Sequence, residues 1–544
     1  MHHHVDLIEP LLAYASDRGG AGLHIWVQPL PIGDPVQITS GDEDDRDPNF
    51  SPDGSRIAFR SERDGGGIYV VPALGGAERL IAPKGYTPAF APDGRRIAYI
   101  TGGRGQEEEL WLVDEAGGEP RRLAADIRIV GLGTVWMKDG STLVVVGRVR
   151  ESTTTDWWSV DVASGKASPM GAAETFTRAG FASVGQPAAV LNDRIVFSDD
   201  ADRSHSMWST ALTADGRVVR GEPRRLTGGT RFDSSPSIAN GPDGAQLYYA
   251  SLDLRANLYR LPVVANEGRA HGEPQPITDT ATTNAWPSLS GDGSTLAFGS
   301  LRGAVTGAWL RDMATGREIP AASAVLSMPN TIMLSPDGRT VALSGSDGIA
   351  LQPVGGGTRQ LLKDTGRSLL LWDWPAPSMI IVGNGELLAV NAQTGSKRPL
   401  ISGGKPGDYY GHGRLSPDGK WISAMQWTNA DQARVMVFPF RDTPVPPEEW
   451  IGITDGNTVA EEHAWSPDGN LLYIVSEKDG YRCVWAQRHD PQSKHPVGAL
   501  MPVAHFHRAR LQTAATPQRI VLGPQGLIFS MDERRGNIWM ATVK

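Results

Sequence analysis

Seven times along this chain a short apolar strand runs into a turn built on the pattern S-P-D-G and leaves it as a second apolar strand. The clearest copies are Ser51-Pro52-Asp53-Gly54, Ala91-Pro92-Asp93-Gly94, Gly241-Pro242-Asp243-Gly244, Gly291-Asp292-Gly293, Ser335-Pro336-Asp337-Gly338, Ser416-Pro417-Asp418-Gly419 and Ser466-Pro467-Asp468-Gly469. Proline presets φ at the first corner, aspartate bonds the backbone two residues on, and glycine takes the positive-φ position. The motif is structural punctuation, not a catalytic signature. Each copy sits inside a longer unit, clearest over residues 48–80. There a strand, the turn, a strand (Arg56 to Arg60), a glycine-rich tip, a strand (Ile68 to Val71), a Gly-Gly turn and a closing strand (Glu78 to Leu80) follow in order.

Four short antiparallel strands recurring at roughly 40 to 45 residues are the signature of a β-propeller blade. One such sheet cannot bury both faces alone, so blades pack side by side around a channel. Counting weaker copies gives about twelve units at that period, beginning near Leu11, Pro48, Pro88, Gly133, Phe181, Ser235, Trp286, Met328, Leu371, Gly413, His463 and Pro517. One ring typically holds 4 to 8 blades. The expectation is therefore an all-β chain of tandem propellers, residues 5–280 and 281–544, as two rings of six. A five-plus-seven partition fits almost as well. The first unit opens at Leu11 without a preceding S-P-D-G, and the last ends at Ala541 without a fourth strand. Ring closure by Val5 to Ile8 or by the final strand is expected, and the lack of an evident first inner strand suggests a start just inside the propeller boundary.

Composition agrees with many tight turns: 64 glycines and 39 prolines form about a fifth of the 544 residues, against an average near 12%. No amphipathic helical stretch stands out, and apolar residues alternate with period two. The net charge of −9 comes with no basic run, so nucleic acid is not an expected partner. No apolar run approaches the 18 or more residues that span a bilayer, so this chain is not expected to insert in a membrane. The opening Met1-His2-His3-His4 resembles a tag remnant rather than a signal peptide. Cys483 is the single cysteine and reads as a small buried hydrophobe.

Motifs for chemistry are sparse. The acidic connector Asp42-Glu43-Asp44-Asp45-Arg46-Asp47 lacks the spacing of a calcium loop, and the same holds for Asp199, Asp200 and Asp202. His505 and His507 share one strand face but fall short of a zinc ligand set. No G-x-S-x-G or H-E-x-x-H occurs. Tryptophans such as Trp26, Trp111, Trp309 and Trp485 read as packing between blades. No cofactor, metal or catalytic residue is expected. Geometry offers a different constellation, because the connector entering each innermost strand reaches one mouth of the channel. Those positions hold Arg46, Asp47, Tyr86, Asp233, Asn284, Trp286, Tyr409, Tyr410, His412, Glu462 and His463. In the second ring Tyr410, His412, Glu462 and His463 are expected to converge on one rim and to hold a cationic or amide-bearing group.

Several segments exceed what the repeat requires: Leu12 to Arg18, His24 to Gln28, Phe59 to Gly76, Trp450 to Gly456 (WIGITDG), Trp465 to Tyr473, Tyr481 to Arg488 and His505 to His507. They resemble the TolB-type, WD40-like (PD40) propeller region of bacterial transmembrane serine/threonine kinases of the acidobacterial kind, over essentially the whole chain. The resemblance implies a non-enzymatic sensor region on the extracytoplasmic side, recognising a small molecule, peptide or protein. It supplies no catalytic residue, and the kinase's glycine-rich loop, H-R-D and D-F-G are absent. The rival readings are a stand-alone TolB-like interaction scaffold and a metal-dependent propeller lactonase or lyase.

Overall fold

A computed structural model describes residues 5–543 except positions 9, 20–21, 31–32, 104–105, 151, 153, 200–204, 229–230, 242–243, 303–304, 323–331, 346, 364, 366–368, 405–406, 430–431, 457–459, 480, 507–510 and 514–518. The S-P-D-G turn works as its chemistry dictates. Ser51 Oγ donates to Asp53 Oδ1 (2.5 Å) and accepts from the Arg56 N–H (3.0 Å), while Asp53 Oδ1 accepts from the Ser55 N–H (3.1 Å). The same bonds recur at Ser290, Ser335, Ser416 and Ser466. The Ser51 hydroxyl, with the Ser55 backbone and side chain, holds the Asp53 carboxyl down at about 2.

Every such turn joins two strands of an antiparallel sheet. In Arg56–Ser61 and Gly67–Pro72, Ile57 pairs with Val71 and Phe59 with Tyr69. Alternate residues of these strands serve different cores. Ile57, Phe59, Tyr69 and Val71 pack toward the preceding sheet, whereas Ala58, Ile68 and Val70 pack toward the following one. Burial on both faces explains why the strands read as near-continuous apolar runs, each large side chain contributing about 1.5–3 kcal/mol.

The chain forms two compact units, and each is a β-propeller. In the first, the innermost strands Val5–Ile8, Asp45–Phe50, Tyr86–Phe90, Arg128–Trp136, Gln186–Leu191 and Phe232–Gly241 pack each against the next, and the last packs against the first. In the second, Asn284–Leu289, Ile332–Leu334, Leu370–Ala376, Tyr409–Leu415, Ala460–Trp465 and Val521–Gly523 do the same. The one α-helix among the described residues, Ala172–Arg178, was not foreseen; it sets Phe176 against Trp157 and Phe197. No helix of the described residues is long and apolar enough to cross a membrane.

The division differs from the expected boundary between residues 280 and 281. The chain leaves the first unit within the strand Gly244–Leu261, after Leu254, and returns to it within Gly526–Val543, after Glu533. Residues 255–261 and Gln275–Pro276 belong to the second unit, pairing alongside residues 526–533 as the outer strands of its last sheet. The final strand is the third strand of the first unit's last sheet, where Gly536 lies so close to the Ser251 carbonyl that a Cβ would not fit. At the other end, Val5–Ile8 pairs fully with Leu11–Ser16, so the first sheet has its inner strand after all.

Inner strands are tied across sheets by side chains that accept from a neighbour's backbone. Asp6 accepts from the Phe50 N–H (2.5 Å), Asn49 Nδ2 (3.1 Å) and Ser237 Oγ (3.1 Å), linking the first strand to the second and the last. Asp6→Ala leaves these donors unpaired and should cost the first unit about 1–3 kcal/mol, read from its urea midpoint. An unchanged midpoint would show that the tie is replaceable by water.

Candidate functional site

Five of the twelve inner strands combine a register shift near their entry with a non-glycine residue in the left-handed region. Asp47 (φ 55°), Thr87 (46°), Ser235 (52°), Trp286 (57°) and His412 (55°) occupy this place. A bulge re-aims the side chain it carries. Three of the expected rim residues, Asp47, Trp286 and His412, are thus turned out of the regular ladder, whereas Arg46, Asp233, Asn284, Tyr410 and His463 stay paired within it.

In the first unit these residues are engaged. Arg60 Nε and Nη2 each lie 2.7 Å from Glu62, and its guanidinium carbon sits 3.8 Å from the Tyr86 ring centre. Arg46 reaches Glu62 at 3.3 Å. Burial raises the Tyr86 hydroxyl pKa. Asp47 accepts from the Thr87 N–H (3.3 Å), and Asp233 from Ser251 Oγ (2.6 Å). Asn284, in the second unit, is fully buried and bonded to Asn257, Thr280 and Ser300. Trp286 is buried against Gly299, where any Cβ would strike its ring. These six residues hold strands together.

The second unit concentrates ionisable groups in its interior. His412 Nδ1 lies 2.6 Å from Glu462, whose other oxygen is 3.5 Å from Arg414. The His412 ring stacks on Trp372 at 4.2 Å and tilts against Trp427 at 5.1 Å. Asp373 accepts from the Leu415 N–H (2.9 Å). Arg519 donates to the carbonyls of Ile332 (2.7 Å) and Leu371. Burial keeps Asp373 protonated to higher pH, against the pull of Arg414, the Leu415 N–H and Arg519. Burial, with Arg414 and His412, makes His463 hard to protonate. Burial and the like charge of Arg414 pull the Arg519 guanidinium down to about 9, which leaves it charged at neutral pH.

The structure thus brings His412, Glu462 and His463 together, but as buried groups and not along an open rim. Tyr410 turns away from them. Its hydroxyl lies 3.1 Å from Asp408, and its ring meets Trp450 edge to face at 5.5 Å. Above it opens a cavity of about 520 Å³, lined among others by Asp408, Gln426, Arg434, Trp450, Asp455 and Gly456. Gln426 bridges the two signs of charge, its amide donating to Asp408 (2.7 Å) and its carbonyl accepting from Arg434 Nε (2.7 Å). Sequence reasoning missed Asp373, Arg414, Arg434 and Arg519, which carry no motif. It had one handle on the cavity, the segment Trp450 to Gly456. Of the other candidates, Asp200, Asp202 and His507 lie outside the described residues.

Two closed rings of antiparallel four-stranded sheets define a β-propeller protein. No family model matches the chain. Among curated proteins it is 36% identical over 118 residues to tricorn protease homolog 1 of Streptomyces coelicolor, covering 21% of this chain and 10% of that one. It is 29% identical over 125 residues to the uncharacterized peptidase YuxL of Bacillus subtilis, covering 20% and 18%. The chain thus matches between a tenth and a fifth of these relatives' length. TolB from Acinetobacter baumannii, a solved structure, is similar over 56% of this chain and 80% of its own, at 12% identity and a TM-score of 0.35. Both curated relatives carry peptidase names, which overturns the expectation that this chain is not an enzyme.

Proposed function

We propose that the chain is a propeller recognition module that takes a peptide segment into the 520 Å³ cavity of its second unit. The cavity wall carries the reading. It sets an aromatic ring (Trp450), two carboxylates (Asp408, Asp455), a guanidinium (Arg434) and an amide (Gln426) around one space. Carboxylates match an amine, the guanidinium matches a carboxylate, and the amide matches a peptide bond. The peptidase names of the curated relatives favour peptide as the ligand class.

Titration with a pool of tripeptides, followed by calorimetry, tests this. Asp455→Asn and Arg434→Met should each weaken binding about tenfold, the worth of about 1.4 kcal/mol, with the melting temperature nearly unchanged. Absence of binding at millimolar peptide, or equal binding by both variants, removes the proposal.

A finer reading, the extracytoplasmic sensor region of a membrane serine/threonine kinase, has one observation in its favour. The segment Trp450 to Gly456, which carries part of the sequence resemblance, contributes Trp450, Asp455 and Gly456 to the cavity wall. A gene that encodes a kinase domain and a membrane helix ahead of this region supports that reading, and one that encodes neither removes it.

A further inference from the structure

We propose that Asp479, Cys483 and His505 form a binding site for Zn²⁺ or a similar divalent transition metal on the fifth sheet of the second unit. One ligand atom from each lies within 4.8 Å of the other two. Three consecutive strands of one sheet deliver them to the same end. Asp479 lies in the hairpin turn after Leu471–Ser476. Cys483 opens the strand Cys483–His489 opposite Ser476, and His505 directly follows Pro496–Ala504, whose Ala504 pairs with Val484. Residues well apart in sequence therefore meet because the hairpins fold back, which is why spacing alone left Cys483 and His505 as separate features.

The geometry is partly organised. His505 Nδ1 lies 2.8 Å from Asp479 Oδ2, and the Trp485 ring meets the imidazole edge to face at 5.4 Å. The thiol is buried, with the Phe506 N–H donating to its sulfur at 3.4 Å. Thiolate, imidazole and carboxylate are the donors zinc selects, and three protein ligands leave a fourth position open to water or a ligand. Bonds of 2.0–2.3 Å would set these donors about 3.5 Å apart. Side-chain rotations at a turn and at a strand exit, Asp479 and His505, can close that difference onto the fixed sulfur.

Burial pushes the Cys483 thiol up, so without metal it holds its proton. Binding breaks the S–H bond, forms a sulfur–metal bond and releases that proton to solvent.

The experiment uses the full chain, stripped with chelator and titrated with Co²⁺. A thiolate-to-cobalt charge-transfer band should appear with one equivalent and be displaced by Zn²⁺. Because Cys483 is the single cysteine, the band reports this site and ignores metal held by His2 to His4. Cys483→Ser should abolish the band. Asp479→Asn and His505→Ala, at accessible positions, should weaken Co²⁺ binding about tenfold or more and keep the test valid if the buried variant does not fold. Lack of a thiolate band at millimolar Co²⁺, or unchanged affinity in both accessible variants, overturns the proposal.

Discussion

Replacing Arg519 with methionine should destabilise the second unit by about 3–5 kcal/mol, the cost of breaking a buried ionic network by removing one member. The side chain is only 4% exposed. It donates to the carbonyls of Ile332 and Leu371, on the second and third inner strands, from a position just ahead of the sixth. Methionine fills similar volume but leaves both carbonyls unpaired, each costing about 1–3 kcal/mol. It also removes a positive charge that favours the ionised form of Asp373. Urea unfolding followed by tryptophan fluorescence measures the effect, with Trp372 and Trp427 close to the network. Two compact units need not unfold together, so the shift should be confined to one transition. A loss below about 1 kcal/mol would show that the interior tolerates an apolar replacement, as some buried ion networks do.

Acidification should weaken the same unit between about pH 6.5 and 4. His489 is buried, its Nδ1–H donating to the Lys494 carbonyl (3.0 Å), and burial lowers its pKa to about 4 against 6.5 when unfolded. The unfolded chain takes up the proton first. Stability is thus full above about 6.5 and falls until the folded ring is also protonated near 4, a loss on the order of 3 kcal/mol at 1.36 kcal/mol per pH unit. His463 acts in the same direction. Asp373 opposes them: its raised pKa favours the fold while the carboxyl is protonated, and that contribution is lost as pH rises through the raised value. Turn aspartates such as Asp53 and Asp292, held near 2, lose their stabilising effect only below about 3.8. Urea midpoints at pH 7.5, 5.5 and 4 should fall in sequence, and His489→Gln should flatten the slope by about one proton. A constant midpoint would contradict the assignment of a buried neutral ring.

The propeller was legible because its grammar is local. A serine, an aspartate and a glycine within four residues close each turn, and a two-residue alternation such as Ile57, Ala58, Phe59 feeds two cores. Ring closure was legible only as a pair of alternatives. The long strands Gly244–Leu261 and Gly526–Val543 look uniform in sequence yet change unit partway. The site was least legible. Tyr410, His412 and Glu462 were read as connector residues entering the inner strands, whereas they lie within Tyr409–Leu415 and Ala460–Trp465, and one residue of bulge re-aims a side chain in a way that spacing does not reveal. Arg519 belongs to no strand and no motif, and only the closed ring shows what it reaches.

The last strand has a further meaning for biosynthesis. Residues 534–543 supply the third strand of the first unit's final sheet, so as the ribosome works, the earliest-made unit is the one that must wait. While residues 255–533 emerge, its second strand presents an unpaired edge, the kind of surface that recruits strands from other chains. A translational pause or a premature stop within this stretch would therefore endanger the unit already synthesised, and holdase chaperones would be expected on the nascent first unit until residues 534–543 clear the exit tunnel.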